Sequence, residues 1–307
     1  MESSARAVVS AADLARAVRL LSVRSRRQAT GLFAGNYASA FRGSGLEFEE
    51  SRPYVPGDDV TVLDWSATAR TGELYVKRFR EERNQTLLFV LDTSASMRFG
   101  TTGCNKAETA ASALALVVAA AGRAGDRTGA IAFDAGLRDE VPAGRGSRHG
   151  LRVIRSAVAW AARPQGPTRL AAGLRSARAR ARRRSVVFVL SDFRDPEREP
   201  LRAELAELAR RHDLIAAPIL DPSDEELPRV GPLRIADPER PSELRVLHTG
   251  RAAVRRRYRS AALAWRERLE RDLRTAGAEV LWLRTDRSPL YALGRFFAER
   301  AARRSPA

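Results

Sequence analysis

The sequence has 307 residues, of which 44% are hydrophobic and 30% are charged. These values are those of a globular protein with enough chain to bury a sizeable core, so collagen-like, coiled-coil and disordered classes are excluded. The net charge is +17, and such a surplus raises nucleic acid or an anionic membrane as a partner.

The basic surplus has an unusual make-up. Only Lys77 and Lys106 are lysines among the 54 basic residues, which is typical of the arginine drift of a G+C-rich genome. We therefore do not expect nucleic acid as the main partner. Residues 229–307 hold 19 basic and nine acidic groups, or +10, so any anionic partner would meet the C-terminal third.

Cysteine content and hydropathy indicate the compartment. Cys104 is the only cysteine, which excludes an internal disulfide and favours a reducing environment. The basic N-terminal region lacks the apolar stretch of a signal peptide. Residues 110–122 are apolar but too few to cross a bilayer. We predict a cytoplasmic chain with no membrane span.

The N-terminal part contains two patterns. Apolar residues at helical spacing predict an amphipathic docking helix over residues 11–27. Aromatic residues among glycine-rich turn signals then predict short β segments over residues 31–83. We expect residues 1–85 to form a helix and β-rich module, and residues 86–307 to form a second domain.

The second domain alternates strands and helices. Residues 86–92 (TLLFVLD) and 185–191 (SVVFVLS) are continuous apolar runs, as in strands buried on both faces. Asn105 and Glu108 predict a capping box for a helix that begins at about residue 106. Other segments are predicted as strands at 128–133, 137–141, 213–220 and 279–284, as helices at 147–162, 170–184, 199–211, 252–276 and from 288, and as a hairpin insertion at about 222–250.

This alternation predicts a doubly wound α/β fold with a mostly parallel sheet flanked by helices. The ligand site of such a fold lies beyond the carboxyl ends of the strands, at the switch point of the strand order. Residues that follow the two buried strands are therefore the first candidates for function.

Hard oxygen donors follow both strands. The alternate residues Asp92, Ser94 and Ser96 can face one side of a loop, Thr168 precedes a predicted helix, and Asp192 ends the other strand. Two carboxylates and three hydroxyls suit Mg²⁺ (or Mn²⁺), which prefers octahedral oxygen coordination. Because only two of these groups are charged, the ion would retain positive charge and attract an anionic oxygen from outside.

Each predicted ligand also has a simpler structural explanation. Asp92, Ser94 and Ser96 fit a turn that caps the strand end, and Thr168 and Asp192 fit helix N-caps. We favour the metal site because Thr168 and Asp192 fall where such a site needs them.

Enzymatic functions are disfavoured. The sequence lacks GxxxxGK[ST], HExxH and GxSxG. An aspartate-nucleophile phosphotransferase also places an acid after its first strand, but Ser94 stands where that class has its general acid. Asp58 and Asp59 lie among arginines, which favours ion pairs over a hydrolytic carboxylate pair. We predict no catalytic residue.

Two sets of motifs resemble a known family. The DxSxS string at 92–96 with Thr168 and Asp192 resembles the metal-ion-dependent adhesion site of von Willebrand factor type A domains. Four upstream segments form the second set, FRGSGLEF at 41–48, RPYVPGDD at 52–59, DWSATAR at 64–70 and YVKRF at 75–79. They resemble the bacterial domain-of-unknown-function family 58, which places this module before a type A domain.

The resemblance implies roles for the site residues. Ser94, Ser96 and Thr168 would touch the metal, Asp92 and Asp192 would bind it directly or through water, and an Asp or Glu of a partner protein would complete the coordination. It also implies an adaptor or chaperone-like role beside a MoxR-type AAA+ ATPase. Many relatives carry membrane-spanning helices ahead of the module, and we find none here.

Two hypotheses follow. The first is a non-enzymatic module that captures a partner carboxylate through Mg²⁺. The alternative is an anion-binding or nucleic-acid-binding protein that acts through the basic C-terminal third, with a steep salt dependence that is indifferent to chelators.

Overall fold

The computed structural model describes residues 11–41, 46–81, 85–195 and 197–304. The α-helices in these ranges are α1 (Ala11–Gln28), α2 (Leu32–Ala40), α3 (Trp65–Thr71), α4 (Lys106–Ala124), α5 (Ser147–Ala161), α6 (Leu170–Arg180), α7 (Arg198–Arg211), α8 (Pro222–Glu225), α9 (Ala252–Thr275) and α10 (Pro289–Arg304). The strands are β1 (Leu46–Pro53), β2 (Tyr75–Glu81), β3 (Thr86–Asp92), β4 (Arg127–Phe133), β5 (Leu137–Gly144), β6 (Val186–Ser191), β7 (Asp213–Leu220), β8 (Pro232–Asp237), β9 (Arg240–His248), β10 (Glu279–Val280) and β11 (Leu283–Arg284).

The central sheet has the order β10-β7-β6-β3-β4-β5, and β11 also pairs with β7. All pairs are parallel except β4 with β5. From β3 the chain moves outward to β4 and β5, then returns to the other side of β3 and continues through β6 and β7. The switch point therefore lies between β3 and β6. The predicted doubly wound, mostly parallel fold is confirmed.

Helices cover both faces of this sheet. Strands β3 and β6 are almost wholly buried, which explains their continuous apolar sequences. One face packs against α1, α2, α4, α5 and α10, and the other against α6, α7 and the end of α9. Helix α4 is long and apolar enough to cross a membrane by length and composition only, but two thirds of its apolar window are buried, as in a core helix.

The ends of α4 follow from its sequence. The side chain of Asn105 accepts a hydrogen bond from Glu108 N at 2.8 Å, and the Glu108 carboxylate accepts one from Asn105 N at 3.0 Å. Gly125, in the left-handed region with φ 80°, ends the helix. The predicted capping box is confirmed, and it fixes Lys106 in the first turn.

The N-terminal helices belong to the same core as the sheet. The Tyr37 ring meets those of Phe41 and Phe297 at 4.9 and 5.6 Å between centroids. The prediction of β segments is wrong for residues 32–40, because Phe33, Tyr37 and Phe41 share one face of a helix. The predicted boundary at residue 85 falls between β2 and β3, and this packing crosses it.

The rest of the N-terminal part is a small unit of β1, β2 and α3. Strands β1 and β2 pair antiparallel. Asp64 caps α3 by accepting hydrogen bonds from Ser66 N and Ala67 N, both at 3.1 Å. Arg52 binds both carboxylate oxygens of Asp58, at 2.6 and 2.8 Å, as the ion-pair explanation of these acids predicts. Most of the 41–48 motif lies outside the described residues or among side chains that are not described.

Candidate metal centre

The first predicted ligands lie where β3 ends at the switch point. Asp92 Oδ1 accepts a hydrogen bond from Ser94 N at 2.9 Å, which turns the chain into a 3-10 turn over Ala95–Arg98. The Thr93 hydroxyl points elsewhere and donates to Phe133 O at 2.8 Å. Residues 92, 94 and 96 therefore face a common side, as their alternation predicts.

The three predicted hydroxyls form one cluster. Ser94 Oγ lies 3.1 Å from Ser96 Oγ and 2.8 Å from Thr168 Oγ1. Ser94 and Thr168 are wholly buried, and Ser96 is 7% exposed. Residues 74 positions apart in the chain thus share one site.

Backbone contacts deliver Thr168 to this cluster. The loop before it is held against the end of β3 by hydrogen bonds from Gln165 N to Thr93 O at 2.8 Å and from Ala95 N to Gly166 O at 2.9 Å. Gly166 has φ +75°, a left-handed conformation that favours glycine. Two residues after Thr168, Leu170 N donates a hydrogen bond to Asp195 Oδ2 at 2.6 Å, and this bond anchors the start of α6.

The two predicted acids are buried at the ends of β3 and β6. Asp92 Oδ2 accepts a hydrogen bond from Ser191 Oγ at 2.5 Å. Burial and the nearby charge of Asp192 raise the pKa of Asp92 to about 7. Beyond Asp192, Phe193 adopts φ 55°, a costly conformation for a non-glycine residue. The ends of β3 and β6 therefore combine two neighbouring carboxylates with a strained backbone at Phe193.

Lys106 is a site residue that the sequence interpretation missed. Its ammonium is 3% exposed and lies 3.0 Å from Asp192 Oδ2 and 3.0 Å from Asp224 Oδ2. Burial lowers the pKa of Lys106, but the charges of Asp192 and Asp224 outweigh this effect and raise it above the ordinary value. The rarity of lysine in this chain was a signal, because an ammonium fits here as a compact charge.

Two hydroxyl separations within the predicted donor set fit the spacing of ligands around Mg²⁺. In an octahedral site with metal–oxygen distances of about 2.1 Å, neighbouring ligand oxygens lie about 3.0 Å apart. The hydroxyl separations of 2.8 and 3.1 Å match this spacing. In the described part of the chain no three His, Cys, Asp or Glu side chains converge as metal ligands, so binding would depend on the hydroxyls. Since Lys106 forms an ion pair with Asp192, that carboxylate is suited to bind a metal through a water molecule.

A third acid follows β7 and was also missed. Asp221 is wholly buried and accepts hydrogen bonds from the hydroxyls of Thr101, Ser223 and Thr285 at 2.6, 2.6 and 2.7 Å. Its sequence context, an apolar strand that ends in an acid, matches that of Asp92. Asp224 in α8 links the two regions, because it accepts from Asp221 N at 2.9 Å and pairs with Lys106.

Many basic residues of the C-terminal third are paired within the chain. Pairs of this kind are Arg259 with Glu226, Arg266 with Glu225, Arg274 with Glu270, Arg284 with Asp286, and Arg300 with Asp213 and Glu279. The pairs with Glu226, Glu225 and Asp213 involve acids outside residues 229–307, so they reduce the positive charge that this region offers to a polyanion.

Sequence comparison identifies the family. The family described as Protein of unknown function DUF58 matches residues 50–268. This chain belongs to that family. An uncharacterized protein of Mycobacterium tuberculosis (strain H37Rv) is 36% identical over 290 residues, which cover 94% of this chain and 90% of that protein. An uncharacterized protein of Mycobacterium avium is 34% identical over 164 residues, which cover 52% of this chain and 93% of that protein.

Solved structures with a related fold include a conserved hypothetical protein, BatB, from Bacteroides thetaiotaomicron. It has a TM-score of 0.46 and 13% identity, and the match covers 71% of this chain and all of BatB. A von Willebrand factor type A protein from Catenulispora acidiphila has a TM-score of 0.41 and 13% identity, with 74% of this chain and 45% of that one covered. These likenesses are weak, and the fold described here rests on the strand order.

Proposed function

We propose that this DUF58 protein is a non-enzymatic, metal-dependent protein-binding module. Asp92, Ser94, Ser96, Thr168 and Asp192 would hold Mg²⁺ or Mn²⁺. When bound, the ion would act as a Lewis acid that attracts a carboxylate oxygen from a partner protein. The observation that carries the proposal is the buried cluster of three hydroxyls beside the strand-end acid Asp92, with Asp192 close enough to raise the pKa of Asp92.

Each protein group has a distinct part in this proposal. The hydroxyls offer neutral oxygens, so they leave positive charge on the ion for the partner. Asp92 is oriented by Ser94 N and Ser191 Oγ, as carboxylate ligands commonly are. Lys106 neutralises part of the charge of Asp192 and keeps that carboxylate in place.

We also propose a setting for this activity. The resemblance to type A domains supports a protein partner that supplies an Asp or Glu, and the resemblance to family 58 supports a MoxR-type AAA+ ATPase as the component that provides the work. A cytoplasmic location agrees with the single cysteine. The internal pairing of C-terminal arginines favours this proposal over the nucleic-acid alternative.

Metal binding is tested first by calorimetric titration with Mg²⁺. We expect Asp92→Asn to lower the affinity about 100-fold, the upper end of the loss caused by removing a group that only orients a ligand. Asp59→Asn is the matched control, since Asp59 is exposed and its hydrogen bonds stay within its own turn. Equal Mg²⁺ affinity in all three proteins would contradict the proposed site.

Partner capture is tested with the same proteins. Wild type, Asp92→Asn and Asp59→Asn are immobilised and exposed to lysate in Mg²⁺ or in chelator. We expect one set of proteins to bind wild type and Asp59→Asn in Mg²⁺ only. If the retained material is the same with and without chelator and with Asp92→Asn, and decreases as salt is added, the basic C-terminal third would be favoured as the binding surface instead.

A further inference from the structure

The tip of the β8–β9 hairpin touches the candidate metal centre. Glu239 lies in the turn between the two strands, and its carboxylate Oε1 accepts a hydrogen bond from the Thr168 hydroxyl. Glu239 N donates to Asp237 Oδ1 at 2.9 Å, so the turn is fixed by its own side chain. The hairpin is inserted between α8 and α9, and this contact brings together residues 71 positions apart.

The hairpin itself is largely outside the core. Leu244 and Val246 on β9 are 65% and 53% exposed, and none of the described side chains of either strand belongs to the two core clusters. Burial of apolar surface therefore does not account for the position of the tip. The described contact between the tip and the centre is polar and joins Glu239 to one predicted ligand.

A carboxylate is the group that the predicted centre needs. Ser94, Ser96 and Thr168 are neutral. Of the two acids, Asp92 would offset one charge of a bound Mg²⁺, whereas Asp192 is already paired with Lys106. One positive charge would therefore remain for an anionic oxygen to neutralise. Glu239 joins the cluster through Thr168, at the hydroxyls. Because Ser94 and Thr168 are wholly buried, a carboxylate from another protein cannot reach their hydroxyls without a local movement.

We infer that Glu239 is the chain's own carboxylate ligand for the metal, and that the β8–β9 hairpin closes the centre until an external acid displaces it. This inference rests on the proposed function. It adds a ligand from the insertion and makes the hairpin a competitor of the partner. The partner would then bind with an apparent affinity reduced by the fraction of molecules that are closed.

The first experiment measures Mg²⁺ affinity by calorimetry in wild type, Glu239→Gln and Glu267→Gln. Glu267 is exposed on α9, so its variant makes the same chemical change away from the centre. We expect Glu239→Gln to lower the affinity about tenfold, the lower end of the loss caused by removing a group that orients a ligand, because the amide oxygen can still reach the metal. We expect Glu267→Gln to leave the affinity unchanged.

The second experiment reports directly on the coordination position. Bound Mn²⁺ enhances the relaxation of water protons according to the number of waters it coordinates. Glu239→Ala should free one position for water, so its Mn²⁺ complex should have higher relaxivity than the wild-type complex. In parallel, Mg²⁺ should slow hydrogen–deuterium exchange over residues 232–248 in wild type and not in Glu239→Ala.

The outcomes separate the two proposals. A wild-type protein that binds neither Mg²⁺ nor Mn²⁺ would overturn both. If metal binding instead depends on Asp92 while affinity, relaxivity and hairpin exchange are the same with and without Glu239, only the inference that Glu239 is an internal ligand would be overturned. Loss of affinity together with gain of a coordinated water would support it.

Discussion

Three neighbouring strands, β3, β6 and β7, are followed by or end in buried acids, and the surroundings of these acids differ. At the end of β7, Asp221 receives hydrogen bonds from Thr101, Ser223 and Thr285, through both backbone N–H and hydroxyl groups. After β3, the hydroxyls of Ser94, Ser96 and Thr168 instead group around one another. Asp221 is thus a structural connection, whereas the hydroxyl cluster is the proposed cation site.

The difference shows that an acid after a buried parallel strand does not by itself indicate a site. A carboxylate whose oxygens accept many internal hydrogen bonds is stabilised as an anion without a metal. A hydroxyl group can donate a hydrogen bond through its hydrogen while its oxygen keeps a free lone pair. A cluster of hydroxyls therefore retains lone pairs that can bind an ion. The neighbours of the acid decide between the two uses.

The largest effect is expected at Lys106, which connects the two ends through Asp192 and Asp224. Lys106→Met removes the ammonium from the buried carboxylate of Asp192 and from the partly buried carboxylate of Asp224, so we expect it to lower the free energy of unfolding by about 4 kcal/mol. Urea denaturation measures this loss. Lys77→Met is the control, because Lys77 is exposed and should change stability by less than about 0.5 kcal/mol. Similar stabilities of the two variants would contradict the bridging role.

Asp221→Ala is expected to have the next largest effect. Removing this carboxylate leaves the hydroxyls of Thr101 and Thr285 without their hydrogen-bond acceptor, so the free energy of unfolding should fall by about 3 kcal/mol. The Mg²⁺ affinity of the folded variant should stay within about threefold of wild type, because Asp221 is outside the predicted donor set. A large loss of Mg²⁺ affinity would mean that the two strand ends form one functional site.

A pair of isosteric variants sharpens the comparison. Thr168→Val should lower Mg²⁺ affinity about tenfold, and it should also lower the free energy of unfolding by about 1.5 kcal/mol, because the buried hydroxyl is hydrogen-bonded to Ser94 and Glu239. Thr285→Val should lower the free energy of unfolding by about 1.5 kcal/mol and leave Mg²⁺ affinity unchanged. Calorimetry and urea denaturation on both proteins measure the two quantities. The comparison fails if the two threonines give the same pattern.

The smallest expected effect is a pH dependence at Asp221. Burial raises its pKa, but hydrogen bonds from Ser223, Thr101 and Thr285 outweigh burial and hold the pKa well below the ordinary value. The stabilisation is therefore complete above the unfolded-state pKa of about 3.9 and declines as the pH falls below it. The stability difference between wild type and Asp221→Asn should shrink from pH 7 to pH 3. A difference that grows towards pH 3 would have the wrong sign.

The sequence predicts much of the sheet and the hydroxyl cluster, for local reasons. The apolar runs before Asp92 and Asp192 mark buried strands, and parallel strands bring their carboxyl ends to one edge. The capping box at Asn105 defines the start of α4 to the residue. The hydrophobic pattern of a strand and the capping box of a helix are set by residues that are close in the chain, so they can be identified in a single sequence.

The missed features depend on contacts between distant segments. Glu239 reaches Thr168 only because the insertion folds back over the sheet edge, and nothing in the hairpin sequence indicates where its tip lies. Asp221 had the same local signature as Asp92, so the pattern could have found it but not distinguished its role. The helix at residues 32–40 was missed although Phe33 and Tyr37 lie four positions apart.

The packing of α2 against α10 has a consequence for synthesis of the chain. Arg300 Nε donates to Ala40 O at 3.0 Å across 260 residues, and the Tyr37 and Phe297 rings meet beside this bond. While the chain is being made, α2 emerges well before α10. Domains commonly begin to fold on the ribosome, but α2 and the part of the sheet face that α10 covers stay uncovered until residue 300 has left the exit tunnel.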